Sequence, residues 1–173
     1  AEITADFQEV VAPDVLLYGD GTGHISQTAT LPAVASSVTK GDFDKDGFED
    51  LLAVEKDSAV LLLNDGLGNY SYSEAAFVHN GYASAPVDNA AADLDFDCNL
   101  DFVVVTPHVD STTQSILTFG YGDGLGSFSQ YAVININGVV QDILVIDIDR
   151  DKILDVLASN ATMQRVEIYR GNG

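Results

Sequence analysis

Short hydrophobic runs separated by glycine, aspartate and asparagine recur along the whole chain. They are rich in Val, Leu, Ile, Tyr and Phe, and none of them sustains the 3.6-residue period of an amphipathic helix. The clearest runs, in chain order, are DLLAVE, AVLLLN, DFVVVTP, SILTFGYG, DVLASN and RVEIYRG. This pattern predicts an all-β protein made of short antiparallel strands.

Two motifs interleave with these runs. The first is acidic, has the form D-x-D-x-D-x-x-x-D, and occupies residues 42–50, 93–101 and 147–155. The second is a glycine-rich turn, found in YGDGTGHIS, LNDGLGNYS, GYGDGLGSFS and YRGNG. A period of about 50 residues that holds about four strands is typical of the blades of a β-propeller. We therefore predict β-propeller blades of about four antiparallel strands.

The period divides the chain into blades. Two complete blades are predicted over residues 36–84 and 85–138, between partial blades over residues 1–35 and 139–173. Residues 107–115 lengthen one loop between strands, which we place at the rim of the propeller. Closed propellers have about four to eight blades, so these roughly three to three-and-a-half blades leave open edges that invite association. We expect part of a larger ring, or one piece of a ring assembled from several chains.

The chain is strongly acidic, yet hydrophobic enough to fold. It carries 27 Asp and Glu against 7 Lys and Arg, a net charge of −20, while 46% of its residues are hydrophobic. This hydrophobic content is too high for a disordered acidic chain. Nucleic acid and membrane insertion are not expected, because nucleic acid needs basic patches and no apolar run approaches the roughly 20 residues of a membrane-spanning helix.

Four carboxylates within one nine-residue loop repel one another unless a cation lies between them. Aspartates at positions 1, 3 and 5, a backbone carbonyl at position 7 and an aspartate at position 9 form an oxygen cage that suits Ca²⁺. An EF-hand is excluded, because position 12 of the first motif is Ala53 instead of Glu and the flanking residues resemble strands. We predict up to three calcium ions, in loops that we number 1 to 3 along the chain.

Position 6 distinguishes the three loops. Gly47 adopts a positive φ at little cost, whereas Cys98 and Lys152 would each cost about 1 kcal/mol in that conformation. Loops 2 and 3 could therefore be acidic turns that kept their shape after losing their ion. Cys98 is the one cysteine of the chain, so no intrachain disulfide is possible, and we expect it to pack as a small buried residue.

The segment GDFDKDGFEDLLAV, followed by NDGLGNYS, resembles the FG-GAP or VCBS repeats of integrin-like β-propellers. The resemblance covers nearly the whole chain. It implies calcium ions that stabilise the loops between strands, with other ligands bound on the propeller face or between blades. The metal ligands that it implies are the carboxylates of Asp42, Asp44, Asp46 and Asp50, of Asp93, Asp95, Asp97 and Asp101, and of Asp147, Asp149, Asp151 and Asp155, with the backbone carbonyls of Phe48, Asn99 and Ile153.

Some features favour secretion. The chain begins at Ala1 instead of Met, which fits a processed mature terminus, although an artificial start would look the same. Asn69 in NYS and Asn160 in NAT are candidate N-glycosylation sites near strand ends. We therefore expect a secreted, extracellular glycoprotein.

Catalysis is not expected. The three histidines, His24, His79 and His108, are scattered, and no nucleophile–His–acid set stands out. The glycine-rich turns lead into no helix and lack the lysine of a P-loop, so they are interpreted as hairpin turns and not as phosphate sites. Tyr70 and Phe128, which follow two of these turns, could stack on a sugar, but we expect them to fill the space between blades.

The sequence therefore predicts a binding module and not an enzyme. The favoured function is an accessory or interaction subunit that docks on a protein partner, or on further blades that complete the ring. One alternative is a lectin-like propeller that binds carbohydrate. Another is the non-catalytic propeller part of a larger secreted enzyme.

Overall fold

The computed structural model of the protein describes residues 15–31, 35–54, 58–78, 86–108 and 113–172. Within these ranges the chain forms thirteen β-strands and no helix, so the all-β prediction is confirmed. The strands are β1 (Val15–Gly19), β2 (Ile25–Thr30), β3 (Ser37–Gly41), β4 (Asp50–Val54), β5 (Ser58–Asn64), β6 (Tyr70–Val78), β7 (Asp88–Ala92), β8 (Asp101–Pro107), β9 (Gln114–Gly122), β10 (Phe128–Asn137), β11 (Val140–Ile146), β12 (Asp155–Asn160) and β13 (Arg165–Tyr169).

The strands form four antiparallel sheets, and in each sheet strands adjacent in sequence pair with one another. Sheet I holds β1 and β2, sheet II β3 to β6, sheet III β7 to β10, and sheet IV β11 to β13. Each sheet lies within one of the four segments that the repeat period marks in the sequence. Residues 109–112, in the long loop between β8 and β9, lie outside the described residues.

The second strand of each four-stranded sheet is almost continuously apolar. In β8, for example, Phe102 and the three valines that follow it are 0% exposed. A continuous apolar run suits a strand that is covered on both faces, whereas strict alternation suits a strand that is covered on one. We therefore expect another sheet to cover each of the two faces of β8.

Consecutive sheets meet this expectation by packing face to face. Leu31, which follows sheet I, packs against Ala53 and Leu62 of sheet II. Leu61 of sheet II and Phe102 of sheet III belong to a second hydrophobic cluster. A third cluster fills the junction between sheets III and IV, and its buried members are Val103, Val105, Leu117, Ile136, Val140, Ile143, Val156 and Ala158. The first strands β3, β7 and β11 lie beside one another, as the inner strands of propeller-like blades do.

The acidic loops and the glycine-rich turns lie at the same end of each sheet. Successive strands are antiparallel, so the connection after the first strand and the connection after the third lie at the same end. The acidic loops follow the first strands, and the glycine-rich turns follow the third strands. The two repeated motifs of the sequence are therefore neighbours in space.

Candidate metal centres

Each acidic loop joins the first strand of a sheet to the second. Loop 1 connects β3 to β4, loop 2 connects β7 to β8, and loop 3 connects β11 to β12. Position 9 of each loop is the first residue of the second strand, and its side chain is buried. These aspartates are Asp50 (0% exposed), Asp101 (0%) and Asp155 (2%).

The position-9 aspartate holds its sheet together at this end. Oδ2 of Asp50 accepts a 2.9 Å hydrogen bond from the N–H of Phe43, at position 2, and Oδ1 accepts a 2.9 Å bond from the N–H of Asn64, at the end of β5. The same two bonds recur in the other sheets, from Leu94 (2.7 Å) and Gly122 (2.9 Å) to Asp101, and from Ile148 (3.2 Å) and Gly171 (3.1 Å) to Asp155. One carboxylate thereby fixes the loop against the end of the third strand.

Two of these carboxyls lie in surroundings that disfavour their charge. Burial raises the pKa of Asp50 and of Asp101, and the other carboxylates of each loop raise it further. The hydrogen bonds from backbone N–H groups oppose the rise but do not outweigh it. A cation bound in the loop would favour the charged carboxylate and so reverse this shift.

The structure gathers the carboxylates of positions 1, 3 and 9 around one point in every loop. In each group one oxygen from each residue lies within 4.8 Å of the others. The groups are Asp42, Asp44 and Asp50; Asp93, Asp95 and Asp101; and Asp147, Asp149 and Asp155. Carboxylate oxygens at this spacing are the ligands that Ca²⁺ takes.

The position-1 aspartate provides the strongest indication that a cation fits. Within the described part of the chain, Oδ1 of Asp42 and Oδ1 of Asp93 are buried and have no hydrogen-bond partner. A buried carboxylate oxygen without a partner costs free energy, and a metal ion would remove that cost. In loop 3 the corresponding oxygen, Oδ1 of Asp147, accepts a 2.6 Å bond from the N–H of Arg150. Loops 1 and 2 therefore fit a cation better than loop 3.

The aspartate at position 5 accepts a hydrogen bond within its own loop. Oδ1 of Asp46 accepts a 2.8 Å hydrogen bond from the N–H of Phe48, and Asp97 and Asp151 accept the corresponding bonds from Asn99 and Ile153. The carboxylates gathered in each loop do not include this position among the described residues. Metal ligation by Asp46, Asp97 and Asp151, and by the backbone carbonyls of Phe48, Asn99 and Ile153, stays a prediction.

The loops bend through two left-handed residues each. Position 6 has a positive φ in all three, with 94° at Gly47, 70° at Cys98 and 76° at Lys152, as the sequence predicts. Position 4 also has a positive φ, at Lys45, Phe96 and Arg150, and the sequence gives no sign of it because none of these residues is glycine. The repeated spacing is the signal that could have revealed it, since the same loop must bend at the same places.

Loop 3 already contains positive charge of its own. The guanidinium of Arg170, just after β13, contacts the carboxylate of Asp149 at position 3. Asp149 belongs to the group that would hold the ion, so the arginine competes with a cation for this carboxylate. Lys40 and Glu49 form the ion pair near loop 1 at 2.7 Å, but Glu49 does not belong to the loop 1 group.

Cys98 corrects one expectation. The prediction that Cys98 is buried is wrong, because its side chain is exposed and its thiol is free. The reason lies in the left-handed turn, in which the backbone N–H of Cys98 points inward to Oδ2 of Asp93 at 3.1 Å and leaves the side chain outside.

The two sequons have different surroundings. Asn69 lies in the exposed turn before β6, and its Nδ2 donates a 2.7 Å hydrogen bond to Oδ2 of Asp65. Asn160 is 2% exposed, and its Nδ2 donates a 2.8 Å hydrogen bond to the carbonyl oxygen of Asn137. The structure argues against a glycan on Asn160, because the amide that would carry it is buried. Glycosylation of Asn69 stays a prediction.

The glycine-rich turns are hairpin turns organised by an aspartate. Oδ1 of Asp65 accepts hydrogen bonds from the N–H groups of Leu67 (2.8 Å) and Asn69 (3.1 Å). Asp20 and Asp123 accept the same pair of bonds in their own turns. The side-chain hydrogen bond from Asn69 is the largest cause that lowers the pKa of Asp65.

The aromatic residue after the third of these turns plugs a junction between sheets, as predicted. The ring of Phe128 meets the rings of Phe43 in sheet II and Phe102 in sheet III edge to face, at centroid distances of 5.9 and 4.8 Å. Edge-to-face pairs at these distances are favourable beyond the area that they bury. Phe128 therefore joins two sheets.

These features define a class of protein that consists of consecutive propeller-like β-sheets. Three of the described sheets carry an acidic loop that suits a cation. Residues 42–104 match the family model of the FG-GAP-like repeat. This segment is therefore similar to an FG-GAP-like repeat, the family that the sequence resembles. No curated protein and no solved structure matches the chain. The described residues include no helix with the length and apolarity needed to cross a bilayer.

Proposed function

We propose that this chain is a secreted, calcium-stabilised interaction module whose sheet IV docks through its outer face on a protein partner or on further propeller blades. It acts by binding and has no catalytic role. The observation that carries the proposal is that this face is apolar and exposed, while the corresponding face of sheet III is covered by the next sheet.

The outer face of sheet IV carries a row of apolar side chains. Leu144, Leu157 and Ile168 lie opposite one another on β11, β12 and β13. Leu144 is 53% exposed and Ile168 is 49% exposed, and Val166 on the same sheet is 59% exposed. Contiguous exposed apolar side chains of this kind mark protein–protein interaction sites.

The equivalent row in sheet III shows what such a face packs against. Ala90, Val103 and Phe119 lie opposite one another on β7, β8 and β9, and they pack in the junction with sheet IV. Val103 follows the position-9 aspartate by two residues, as Leu157 does in sheet IV. A partner that presents an apolar β-sheet would cover the row on sheet IV in the same way.

Calcium would stabilise the module by occupying the acidic loops. Bound Ca²⁺ supplies the positive charge that the gathered carboxylates need. In loops 1 and 2 the residues that would hold it are those of positions 1, 3 and 9, and the unpartnered Oδ1 atoms of Asp42 and Asp93 are directed to this role. Asp50 and Asp101 also accept hydrogen bonds from N–H groups at the end of the third strand, so an ion that orders the loop would also stabilise that strand end.

An extracellular location agrees with the family and with the chemistry of the loops. FG-GAP-like repeats are typically extracellular, where calcium is abundant. Oxygen sites in extracellular modules bind Ca²⁺ with dissociation constants on the order of 10⁻⁴ to 10⁻³ M. A glycan on Asn69 would be compatible with this location.

The test compares two lysine substitutions on exposed leucines. Leu144→Lys places a charge in the apolar row of sheet IV, and Leu67→Lys, at a side chain that is 84% exposed in the β5–β6 turn, is the matched control. The native mass of the protein is first measured in calcium-containing buffer after purification from its source, and the partner in the complex is identified and purified. Binding of each variant to that partner is then measured by isothermal titration calorimetry.

We expect a heteromeric complex whose affinity falls about tenfold or more in Leu144→Lys and is unchanged in Leu67→Lys. A native mass of 18.4 kDa, which is the mass of these 173 residues alone, would refute docking through sheet IV. A complex that tolerates Leu144→Lys with an unchanged melting temperature would refute it as well.

A further inference from the structure

Three exposed apolar side chains project from the end of sheets II and III that carries the acidic loops. They are Leu67 in the β5–β6 turn, Leu125 in the β9–β10 turn and Phe48 at position 7 of loop 1. Leu67 is 84% exposed, Leu125 is 77% exposed and Phe48 is 46% exposed. We call these three residues the apolar tips.

Each apolar tip is held by an aspartate that lies two residues before it. In every case the backbone N–H of the tip donates a 2.8 Å hydrogen bond to Oδ1 of that aspartate. The pairs are Leu67 with Asp65, Leu125 with Asp123, and Phe48 with Asp46. A side-chain bond of this kind fixes the backbone of a turn, so each tip projects from an ordered segment.

The tips belong to one continuous surface, because loop 1 lies between the two turns. On one side the ring of Phe48 lies over Gly66, where an added Cβ would overlap it. On the other side Gly126 packs against loop 1, since a Cβ added at Gly126 would lie 3.6 Å from that of Asp44. Exposed apolar residues are ordinary when they are scattered singly, whereas a contiguous group of them marks an interaction site.

Packing between sheets does not cover this end of the sheets. Sheet II packs against sheet I through one hydrophobic cluster and against sheet III through another. Leu67 and Phe48 remain exposed although their sheet is flanked on both faces. Leu125 occupies the same place in the turn of sheet III as Leu67 does in sheet II. The tips are therefore exposed because they lie at the ends of the sheets and not on an uncovered face.

The surroundings of the tips are acidic. The four aspartates of loop 1, together with Asp65 and Asp123 in the turns, supply six negative charges, of which a bound Ca²⁺ would offset two. Lys45 offsets one more, and Lys40 is occupied by its ion pair with Glu49. These groups together therefore stay negative with calcium bound, in a chain whose net charge is −20.

We propose that the apolar tips and the aspartates beside them form a docking site for a basic segment of a partner protein, one that carries Lys or Arg together with apolar side chains. The apolar side chains of the segment pack against the tips, and its cationic groups face the aspartates. This surface is separate from the outer face of sheet IV, so the inference goes beyond the docking proposed there and does not depend on it.

Charge complementarity favours a basic polypeptide over the other occupants. Anionic lipid headgroups and nucleic acid would both be repelled by a surface that stays negative with calcium bound. A second copy of this chain carries the same net charge of −20 and is disfavoured for the same reason. A basic segment with apolar side chains matches both features of the surface.

The test uses a synthetic peptide of the expected chemistry. The fluorescein-labelled peptide GKLGKFGKLGK is titrated into the intact protein in calcium-containing buffer of low ionic strength, and its fluorescence anisotropy is recorded. The control peptide has the same charge and carries serine in place of leucine and phenylalanine. It separates recognition of the apolar side chains from attraction to a polyanion.

The protein variants are Leu67→Lys and Leu125→Lys, each of which places a charge on an exposed tip. The matched control is Leu144→Lys, which places the same charge on a leucine of sheet IV that is 53% exposed. Because Leu67 and Leu125 are almost fully exposed, their substitution is expected to leave the melting temperature unchanged.

We expect saturable binding that weakens about fivefold or more in Leu67→Lys and in Leu125→Lys and is unchanged in Leu144→Lys. The serine peptide is expected to bind about fivefold or more weakly, and binding of both peptides is expected to weaken as salt is added. Hydrogen exchange of the backbone amides of residues 65–69 and 123–127 is expected to slow when the first peptide binds the wild-type protein.

Absence of binding at millimolar peptide, equal binding of the two peptides, or equal binding by the tip variants and the wild-type protein would each refute docking at the tips. Co-sedimentation with vesicles of phosphatidylcholine and phosphatidylserine is measured in parallel. Vesicle binding that Leu67→Lys abolishes, without binding of the peptide, would replace the basic protein with a membrane surface. Leu67→Lys and Leu144→Lys also separate this proposal from docking through sheet IV, because each is expected to weaken one of the two interactions and not the other.

Discussion

The backbone N–H of Gly126 donates a 3.2 Å hydrogen bond to the carbonyl oxygen of Phe43. Gly126 belongs to the turn between β9 and β10 in sheet III, and Phe43 occupies position 2 of loop 1 in sheet II. The N–H of Phe43 is held in turn by Asp50. A cation that orders loop 1 therefore stabilises the turn of the next sheet as well as its own.

Removal of calcium with a chelator is expected to lower the melting temperature. An ion that binds only the folded state contributes about 2.7 kcal/mol per site at a hundredfold excess over its dissociation constant. For a chain of this length about 1 kcal/mol corresponds to roughly 2–4 °C, so each occupied site is worth roughly 5–10 °C. Thermal melts followed by circular dichroism in calcium and in EGTA measure the difference.

The control for this experiment is a pair of Asp→Asn substitutions. Asp42→Asn is expected to reduce the calcium-dependent shift, whereas Asp123→Asn, in the β9–β10 turn, is expected to preserve it. An identical melt of the wild-type protein in calcium and EGTA would show that the loops are acidic turns without a structural ion.

The three loops are expected to differ in affinity, with loop 3 the weakest. Arg170 contacts Asp149, and the N–H of Arg150 already satisfies Oδ1 of Asp147. Arg170→Gln removes the competing charge and is expected to strengthen calcium binding at loop 3 about fivefold, which corresponds to an ion pair worth about 1 kcal/mol. Isothermal titration calorimetry measures the change.

Arg165→Gln is the matched control, because Arg165 pairs with Glu167 outside the loop group. It removes one arginine charge and should leave the weakest site as it is in the wild-type protein. Three equal sites in the wild-type protein would contradict the ranking.

Asp142→Asn is expected to stabilise the protein at pH 7 and to have little effect near pH 4. Its hydrogen bond to Asp88 is the largest cause that raises the pKa of Asp142. The folded state therefore holds the proton more tightly than the unfolded state, and stability present at low pH is lost as pH rises through this raised pKa. The variant avoids that loss.

The gain is expected to be on the order of 1–2 °C at pH 7, because Asp142 lies near the surface and solvent screens the interaction. Melts of both proteins at pH 4 and pH 7 in calcium measure it. Equal differences at the two pH values would show that charge is not the cause.

Gly120→Ala is expected to destabilise the fold by about 1–3 kcal/mol. A Cβ at Gly120 would lie 2.3 Å from Cε1 of Phe102, whose ring is buried and packed against Phe128. Gly19→Ala is the control, since its Cβ would come no closer than 3.9 Å, to the carbonyl oxygen of His24. Denaturant unfolding of both variants measures the change, and equal stability of the two would contradict the packing described for Phe102.

The sequence predicts the fold class and the positions of the acidic loops because both follow from local patterns. Short apolar runs bounded by Gly, Asp and Asn mark the strands, and the spacing of Asp42, Asp44 and Asp50 brings their carboxylates together. The packing of Phe128 between sheets was predictable from its place at the start of a strand that follows a repeated turn. Local spacing alone determines these features.

Features that depend on contacts between distant segments were not predictable. The second hydrogen bond of Asp50 comes from Asn64, 14 residues away, and the bond that buries the amide of Asn160 goes to Asn137, 23 residues away. Nothing in the neighbouring sequence specifies either partner. The exposure of Cys98 was missed because a small apolar residue is usually buried, and here the left-handed turn directs it outward.

The bonds made by the position-9 aspartates also bear on how the chain folds. Each joins residues that are 7 to 21 positions apart in the sequence, all within one sheet. Short chain closures cost little entropy. Each sheet can therefore form these hydrogen bonds before it packs against its neighbours. The sheets can thus assemble in the order in which they leave the ribosome.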